Sequence, residues 1–178
     1  KGLAEKFDVE ITEEKLNAAI KWCNKERKQA ARIYELGRYD PPAITGMRMR
    51  DIMEGEQYMF DKEEKYKRMD EILNECEENW KKGKYPFEPD PNRPRLIVSG
   101  AGMGGIEEKT IKVIEELGGA VVCYEGCCGI SSRRRLVDED ESRDPYIRIA
   151  EKYIEVPCAV VSPNTRRMKQ VEETISEW

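Results

Sequence analysis

The sequence predicts an α/β protein in which an amino-terminal helical segment precedes an incomplete lobe of parallel βαβ units. Long stretches of the first half repeat apolar residues at helical spacing, whereas short β-rich runs alternate with helical stretches in the second half. A proline-rich segment without hydrophobic periodicity separates the two halves. We therefore divide the chain into a helical segment over 1–83, a linker over 84–94 and an α/β lobe over 95–178.

The helical segment is expected to contain two long amphipathic helices and a short one. Over 11–36, small and apolar residues recur every three or four positions, and Gly37 follows as a stop signal. A segment with two adjacent prolines then separates this helix from a shorter, methionine-rich helix around 47–55. Asp61 is placed to cap the second long helix, which is expected to end near Gly83.

The second half alternates strands and helices. A strand, a helix of about a dozen residues and another strand imply parallel pairing with a right-handed crossover. Ligands of such Rossmann-like sheets bind at the carboxyl ends of the strands, so the loops after the strands should lie side by side. One edge of the sheet would remain unpaired, and we expect further strands or a partner to cover it. The predicted elements are strands at 96–99, 120–124 and 158–161 and helices at 106–117, at 144–155 and from about residue 165.

Composition argues against several classes of function. The formal net charge of −5 disfavours a broad basic surface that binds nucleic acid. No apolar run approaches the roughly 20 residues that cross a bilayer, so we expect a soluble protein without membrane contacts. The sequence has no histidine, which excludes imidazole-dependent triads and nitrogen-ligated zinc sites. Any chemistry must then use thiolates, carboxylates, lysines, backbone amides or a cofactor.

The first candidate site is the glycine-rich turn SGAGMGGIEEKT after the first predicted strand. Gly100, Gly102 and Gly105 match the dinucleotide-binding fingerprint, and Glu125 ends the second strand near the position of a ribose-binding carboxylate. Two other interpretations stay open. The glycines could simply allow close packing of the turn, or the helix amino terminus could bind an anion or a carbonyl group of another ligand. We favour the last interpretation.

The six cysteines are spaced too unevenly for a secreted disulfide framework, which favours a cytoplasmic protein in a reducing compartment. Half of them lie on the apolar stripe of a predicted helix or inside a predicted strand. Free cysteine behaves there as a small hydrophobic residue. We interpret three cysteines as core residues: Cys23, Cys76 and Cys123.

The remaining cysteines form the second candidate site. Cys127 and Cys128 lie in a glycine-flanked loop at the carboxyl end of a strand, and Cys158 begins the next predicted strand. Adjacent cysteines rarely form a disulfide with each other because the required geometry clashes with a trans peptide. Sulfur ligation of zinc or of an iron–sulfur cluster is one interpretation, and an oxidised or merely buried pair is the other.

A run of three arginines, 133–135, is the third candidate. Charge runs usually belong to solvated surface, so we interpret this run as an exposed turn. The alternative is a contact with phosphate or with an acidic partner.

Three stretches together resemble one protein family: PRLIVSGAGMGGIEEKTIKVIEELGGAVVCYEGCCGI, RRLVDED and DPYIRIAEKYIEVPCAVVSPNTRR. The family comprises 2-hydroxyacyl-CoA dehydratase subunits, benzoyl-CoA reductase subunits and double-cubane cluster proteins. The resemblance covers essentially the whole chain and is densest from Pro94 to Arg167. It implies two Rossmann-like lobes, an oxygen-sensitive iron–sulfur cluster and one-electron chemistry on acyl-thioesters. It also implies a separate ATP-hydrolysing activator, an acyl-CoA or other small-molecule substrate, and a second subunit of the same or another kind.

The resemblance assigns roles to particular residues. Cys127 matches the family's cluster cysteine, the additional Cys128 is similar to the double-cubane branch, and Cys158 would be a further ligand. The cofactor implied is a [4Fe–4S] or a double-cubane cluster. Residues implied to line the substrate or cluster cavity are Gly102, Met103, Gly104 and Gly105.

The chain departs from the family pattern in two places. It lacks the amino-terminal lobe with its own cluster cysteine, and it lacks the downstream segment in which a cysteine precedes a histidine. We therefore expect an excerpt of a longer enzyme that is poorly active alone and cannot complete the cluster site. Two alternatives remain: a dinucleotide-binding module and a cofactor-free interaction subunit.

Overall fold

The computed structural model describes residues 2–101, 105–126, 129–158 and 164–178. Within these ranges the chain is mixed α/β with a two-stranded parallel sheet, which confirms the predicted fold class. No helix of these ranges is long and apolar enough to cross a membrane. The elements in chain order are α1 (Gly2–Phe7), α2 (Glu13–Glu35), α3 (Gly46–Gly55), α4 (Lys62–Lys81), β1 (Arg95–Gly100), α5 (Gly105–Glu116), β2 (Ala120–Gly126), α6 (Ile130–Arg134), α7 (Pro145–Ile154) and α8 (Thr165–Glu177).

Acidic side chains begin two of the helices where the sequence places them. The carboxylate of Asp61 accepts hydrogen bonds from the backbone N–H groups of Glu63 and Glu64 at 3.1 and 3.0 Å. Asp144 accepts from the N–H of Tyr146 at 2.7 Å. Such caps satisfy amides that have no partner within the helix. Both predicted helix starts are confirmed.

The strands β1 and β2 pair in parallel with α5 as the crossover, as the alternation of strand and helix predicts. The register aligns Ser99 with Glu125 and Gly100 with Gly126 at the carboxyl ends. Of the predicted third strand, 158–161, only Cys158 lies within the described residues, and it belongs to a loop there.

Strand β2 lies at the centre of the hydrophobic core. Its residues 120–123 are 0% exposed, because they pack against apolar side chains of the surrounding helices. Residues of the predicted helical segment and of the predicted α/β lobe belong to the same cluster, and the boundary at 84–94 stays a prediction. Helices α2 to α5 contribute Ile33, Tyr34, Met49, Leu73 and Ile111.

Two glycines allow backbone to approach β2 closely. A Cβ at Gly37 would lie 2.0 Å from the carbonyl oxygen of Val122, and one at Gly46 would lie 2.5 Å from the Cβ of Val121. The tyrosine hydroxyl of Tyr124 donates a hydrogen bond to the Gly46 carbonyl at 2.8 Å. The start of α3 is therefore fixed against β2 by contacts that leave no room for a side chain.

The other sequence interpretations of the core have mixed outcomes. Of the three cysteines interpreted as core residues, Cys76 and Cys123 are buried as predicted, whereas Cys23 is only half-buried. The interpretation of 133–135 as a solvated turn is wrong, because Arg133 and Arg134 belong to helix α6 and all three side chains are half-buried against residues distant in the sequence. Each arginine forms an ion pair: Arg133 with Glu56, Arg134 with Glu177 and Arg135 with Glu155.

Candidate functional site

A cavity of about 180 Å³ opens at the carboxyl ends of β1 and β2. Residues 98–101 and 124–126 form one wall, and side chains of α2, α3 and α5 form the others. This is the edge at which parallel sheets of this kind collect ligands. Ala101, Gly126 and Gly129, which flank the glycine-rich turn and the cysteine pair, all line the cavity.

The predicted substrate-binding residues lie mostly outside the described ranges. This applies to Gly102, Met103 and Gly104. Gly105 is described, begins α5 at an exposed position, and is not among the cavity-lining residues.

The predicted sulfur ligands are only partly described. Cys127 and Cys128 lie outside the described ranges, between Gly126 and Gly129 of the cavity wall. Cys158 is described and half-buried. Among the residues that the structure describes, no three histidine, cysteine, aspartate or glutamate side chains are grouped to hold a metal ion.

Three polar side chains meet at the edge of the sheet. The carboxylate of Glu125 accepts hydrogen bonds from Nη1 of Arg167 at 3.0 Å and from the Ser99 hydroxyl at 2.9 Å. Nη2 of Arg167 also forms an ion pair with this carboxylate at 2.6 Å. Arg167 also donates to the Ser99 oxygen at 3.0 Å. We call Ser99, Glu125 and Arg167 the edge ring. It joins the ends of both strands to the first turn of α8.

The same turn of α8 contacts the segment that carries Cys158. Asn164 caps the helix, because its side-chain oxygen accepts from the backbone N–H of Arg167 at 3.1 Å. Its amide nitrogen donates to the carbonyl oxygen of Cys158. Cys158 and the end of β2 are thus both bonded to the start of α8.

The cavity wall combines apolar surface with a few charges. Tyr34, Met53 and Val98 line it, and so does Arg50, whose side chain forms ion pairs with Glu54 at 2.8 Å and with Asp51 at 3.1 Å. A wall of this kind suits a small, partly apolar ligand with a polar end.

The edge ring was not recognised from the sequence. Arg167 lies 42 residues beyond Glu125, so no local pattern relates them. One signal was present: Glu125 directly follows the buried residues of β2, and a buried carboxylate needs a cationic or hydrogen-bonding partner. The sequence could therefore predict that a partner exists, although not which one.

The fold and the cavity define an α/β protein with a cavity at the carboxyl edge of a parallel sheet. The whole chain, residues 1–178, matches the model of the family described as 2-hydroxyglutaryl-CoA dehydratase, D-component. It is 36% identical over 178 residues to the putative dehydratase subunit YjiM of Escherichia coli K12. The aligned region covers 100% of this chain and 45% of that protein. The chain belongs to the 2-hydroxyglutaryl-CoA dehydratase D-component family, which confirms the resemblance. It spans less than half the length of this curated relative.

Proposed function

We propose that this chain is part of a 2-hydroxyacyl-CoA dehydratase, or of a related low-potential reductase, that uses an iron–sulfur cluster for one-electron chemistry. The proposal is supported by membership of the dehydratase family and by the cavity at the edge of the sheet. We further propose that the protein acts in the cytoplasm, with a separate ATP-hydrolysing activator and a second subunit as partners.

The proposed cluster ligands are Cys127, Cys128 and Cys158. The observation that carries this assignment is that the two segments next to these cysteines are both hydrogen-bonded to the first turn of α8. Cys158 is bonded through Asn164 to the start of α8, and Glu125, two residues before Cys127, is bonded to Arg167 of the same turn. Thiolates suit iron in a chain that has no histidine. A [4Fe–4S] or double-cubane cluster would supply single electrons at low potential.

The protein's own residues would bind and orient the substrate. We propose that the acyl group of a CoA thioester occupies the cavity, whose apolar side chains suit a short carbon chain and exclude water. The Tyr124 hydroxyl stays protonated, because burial raises its pKa well above the usual value, and its hydrogen bond to the Gly46 carbonyl holds the start of α3 beside the cavity. Gly102, Met103, Gly104 and Gly105 are proposed to line the approach to this cavity.

The alternative of a dinucleotide-binding module has less support. A ribose-binding carboxylate needs free oxygens for the sugar hydroxyls. Both oxygens of Glu125 instead have partners: Oε1 accepts a hydrogen bond from Arg167, and Oε2 accepts one from the Ser99 hydroxyl and is ion-paired with Arg167. A nucleotide would have to displace this buried pair.

Iron and acid-labile sulfide analysis with EPR, on protein expressed from the complete gene and purified without oxygen, tests the proposal. We expect iron with sulfide, and a loss of both in Cys127→Ser and Cys158→Ser. Cys23→Ser is the matched control, because this thiol is also half-buried but lies on α2. Iron-free wild-type protein would contradict the proposal, as would full iron and unchanged spectra in both ligand variants.

A further inference from the structure

The edge ring is built as a closed set of hydrogen bonds. Arg167 contacts both oxygens of Glu125: its Nη1 donates a hydrogen bond to Oε1 at 3.0 Å, and its Nη2 forms an ion pair with Oε2 at 2.6 Å. This is the two-pronged contact that guanidinium groups favour with carboxylates. The Ser99 hydroxyl donates to Glu125 at 2.9 Å and accepts from Arg167 at 3.0 Å. Each member therefore contacts both of the others, and the relative positions of three chain segments are fixed together.

Because the edge ring is buried, it contributes little net free energy to folding. The side chain of Glu125 is 0% exposed and that of Arg167 is 17% exposed. Removing such charges from water costs free energy that their attraction only roughly repays, and apolar residues of similar volume often stabilise a fold as well. Stability alone therefore explains the ring poorly, whereas a requirement for fixed geometry explains it.

The segment that the ring fixes carries a cysteine. Arg167 is held at the start of α8, and Asn164 in the same turn bonds to the Cys158 carbonyl. The other side of the ring, Ser99 and Glu125, belongs to the cavity wall. Arg167 thus connects the Cys158 segment to the cavity.

We propose that Arg167 is a positioning residue that holds the Cys158 segment in register with the carboxyl end of β2. Its effect on a cluster rests on the proposed function, but its effect on the backbone does not. Because lysine cannot form the two-pronged contact, Arg167→Lys should keep the register of the Cys158 segment only in part. Arg167→Gln should lose this register.

Hydrogen–deuterium exchange on metal-free protein tests the backbone effect. Arg167→Gln should accelerate exchange of peptides covering 156–158 and 164–167 by about tenfold or more, as expected for the loss of hydrogen bonds to a charged group. Lys65→Gln is the matched control, because it breaks another largely buried ion pair, with Glu26 at 2.7 Å, between α4 and α2. The control should destabilise the protein without accelerating these peptides. Equal exchange of these peptides in Arg167→Gln and wild type would overturn the proposal.

Anaerobic protein from the complete gene tests the consequence for a cluster. In Arg167→Gln we expect altered EPR g values and a lower kcat with KM little changed, with partial recovery in Arg167→Lys and wild-type spectra in Lys65→Gln. Wild-type spectra in Arg167→Gln would overturn the positioning role. Wild-type protein without iron would instead overturn the proposed function and leave the exchange result to decide the inference.

Discussion

The two ends of β2 are held by different kinds of contact. Residues 120–123 are 0% exposed and contact helices through apolar side chains and two side-chain-free glycines. Glu125, near the carboxyl end, is buried just as deeply but is held by Arg167 and Ser99. We call residues 120–123, with the glycines packed on them, the base of β2, and the end of the strand at Glu125 its edge. The base has no room for an added atom. The edge holds charged and hydroxyl groups beside a cavity. The base therefore supports the fold, and the edge is where ligand chemistry can occur.

The largest effect is expected at the base, from Gly37→Ala. The new methyl group would lie 2.0 Å from the backbone oxygen of Val122, and neither side can move without disturbing the sheet. We expect a loss of at least about 4 kcal/mol in the free energy of unfolding, measured by urea denaturation. Gly55→Ala is the control, because its Cβ has nothing within 4 Å. Similar small losses for both variants would show that the base is not closely packed.

An intermediate effect is expected where the base meets the edge, from Tyr124→Phe. This removes the hydroxyl that donates to the buried Gly46 carbonyl and leaves that oxygen without this partner. We expect a loss of about 1–2 kcal/mol by the same measurement. Tyr153→Phe should be near neutral, because Tyr153 is 60% exposed. Unchanged stability in Tyr124→Phe would mean that this bond does not hold α3 on the sheet.

The smallest effect is a change in pH dependence from Glu115→Gln. Burial raises the pKa of Glu115 above its usual value, although the backbone N–H groups of Gly46 and Met47 oppose the shift. The folded state then binds more protons than the unfolded state just above pH 4.5, so stability should fall as the pH rises through that window and level off above it.

Glu115→Gln should remove this fall, and the neighbouring Glu116→Gln should retain it, because Glu116 is exposed. Stability is measured by thermal unfolding at several pH values between about 4.5 and 7. Parallel curves for wild type and Glu115→Gln would contradict the assignment.

Much of the fold follows from local pattern. The apolar repeat over 11–36 predicts α2, which runs from Glu13 to Glu35, and the acidic caps at Asp61 and Asp144 mark true helix starts. The alternation of strand and helix predicts the parallel pairing of β1 and β2. Short elements escaped prediction, because α1 (Gly2–Phe7) and α6 (Ile130–Arg134) are too short to show a helical period.

The candidate site was predictable in position but not in its contacts. The rule for parallel sheets places the cavity at the carboxyl edge without naming Arg50 or Arg167. Arg133 was assigned to solvent because its partner, Glu56, lies far away in the sequence. Ion pairs between distant segments depend on how the elements pack, and that information is absent from local residue spacing.

The proposed cluster can be located by anomalous diffraction at the iron absorption wavelength, from crystals of the protein expressed from the complete gene and grown without oxygen. We expect iron at the carboxyl edge of the sheet, bound by the sulfur atoms of Cys127, Cys128 and Cys158. Crystals without an iron signal, or with iron bound elsewhere while these three sulfur atoms point into separate regions, would contradict the proposal.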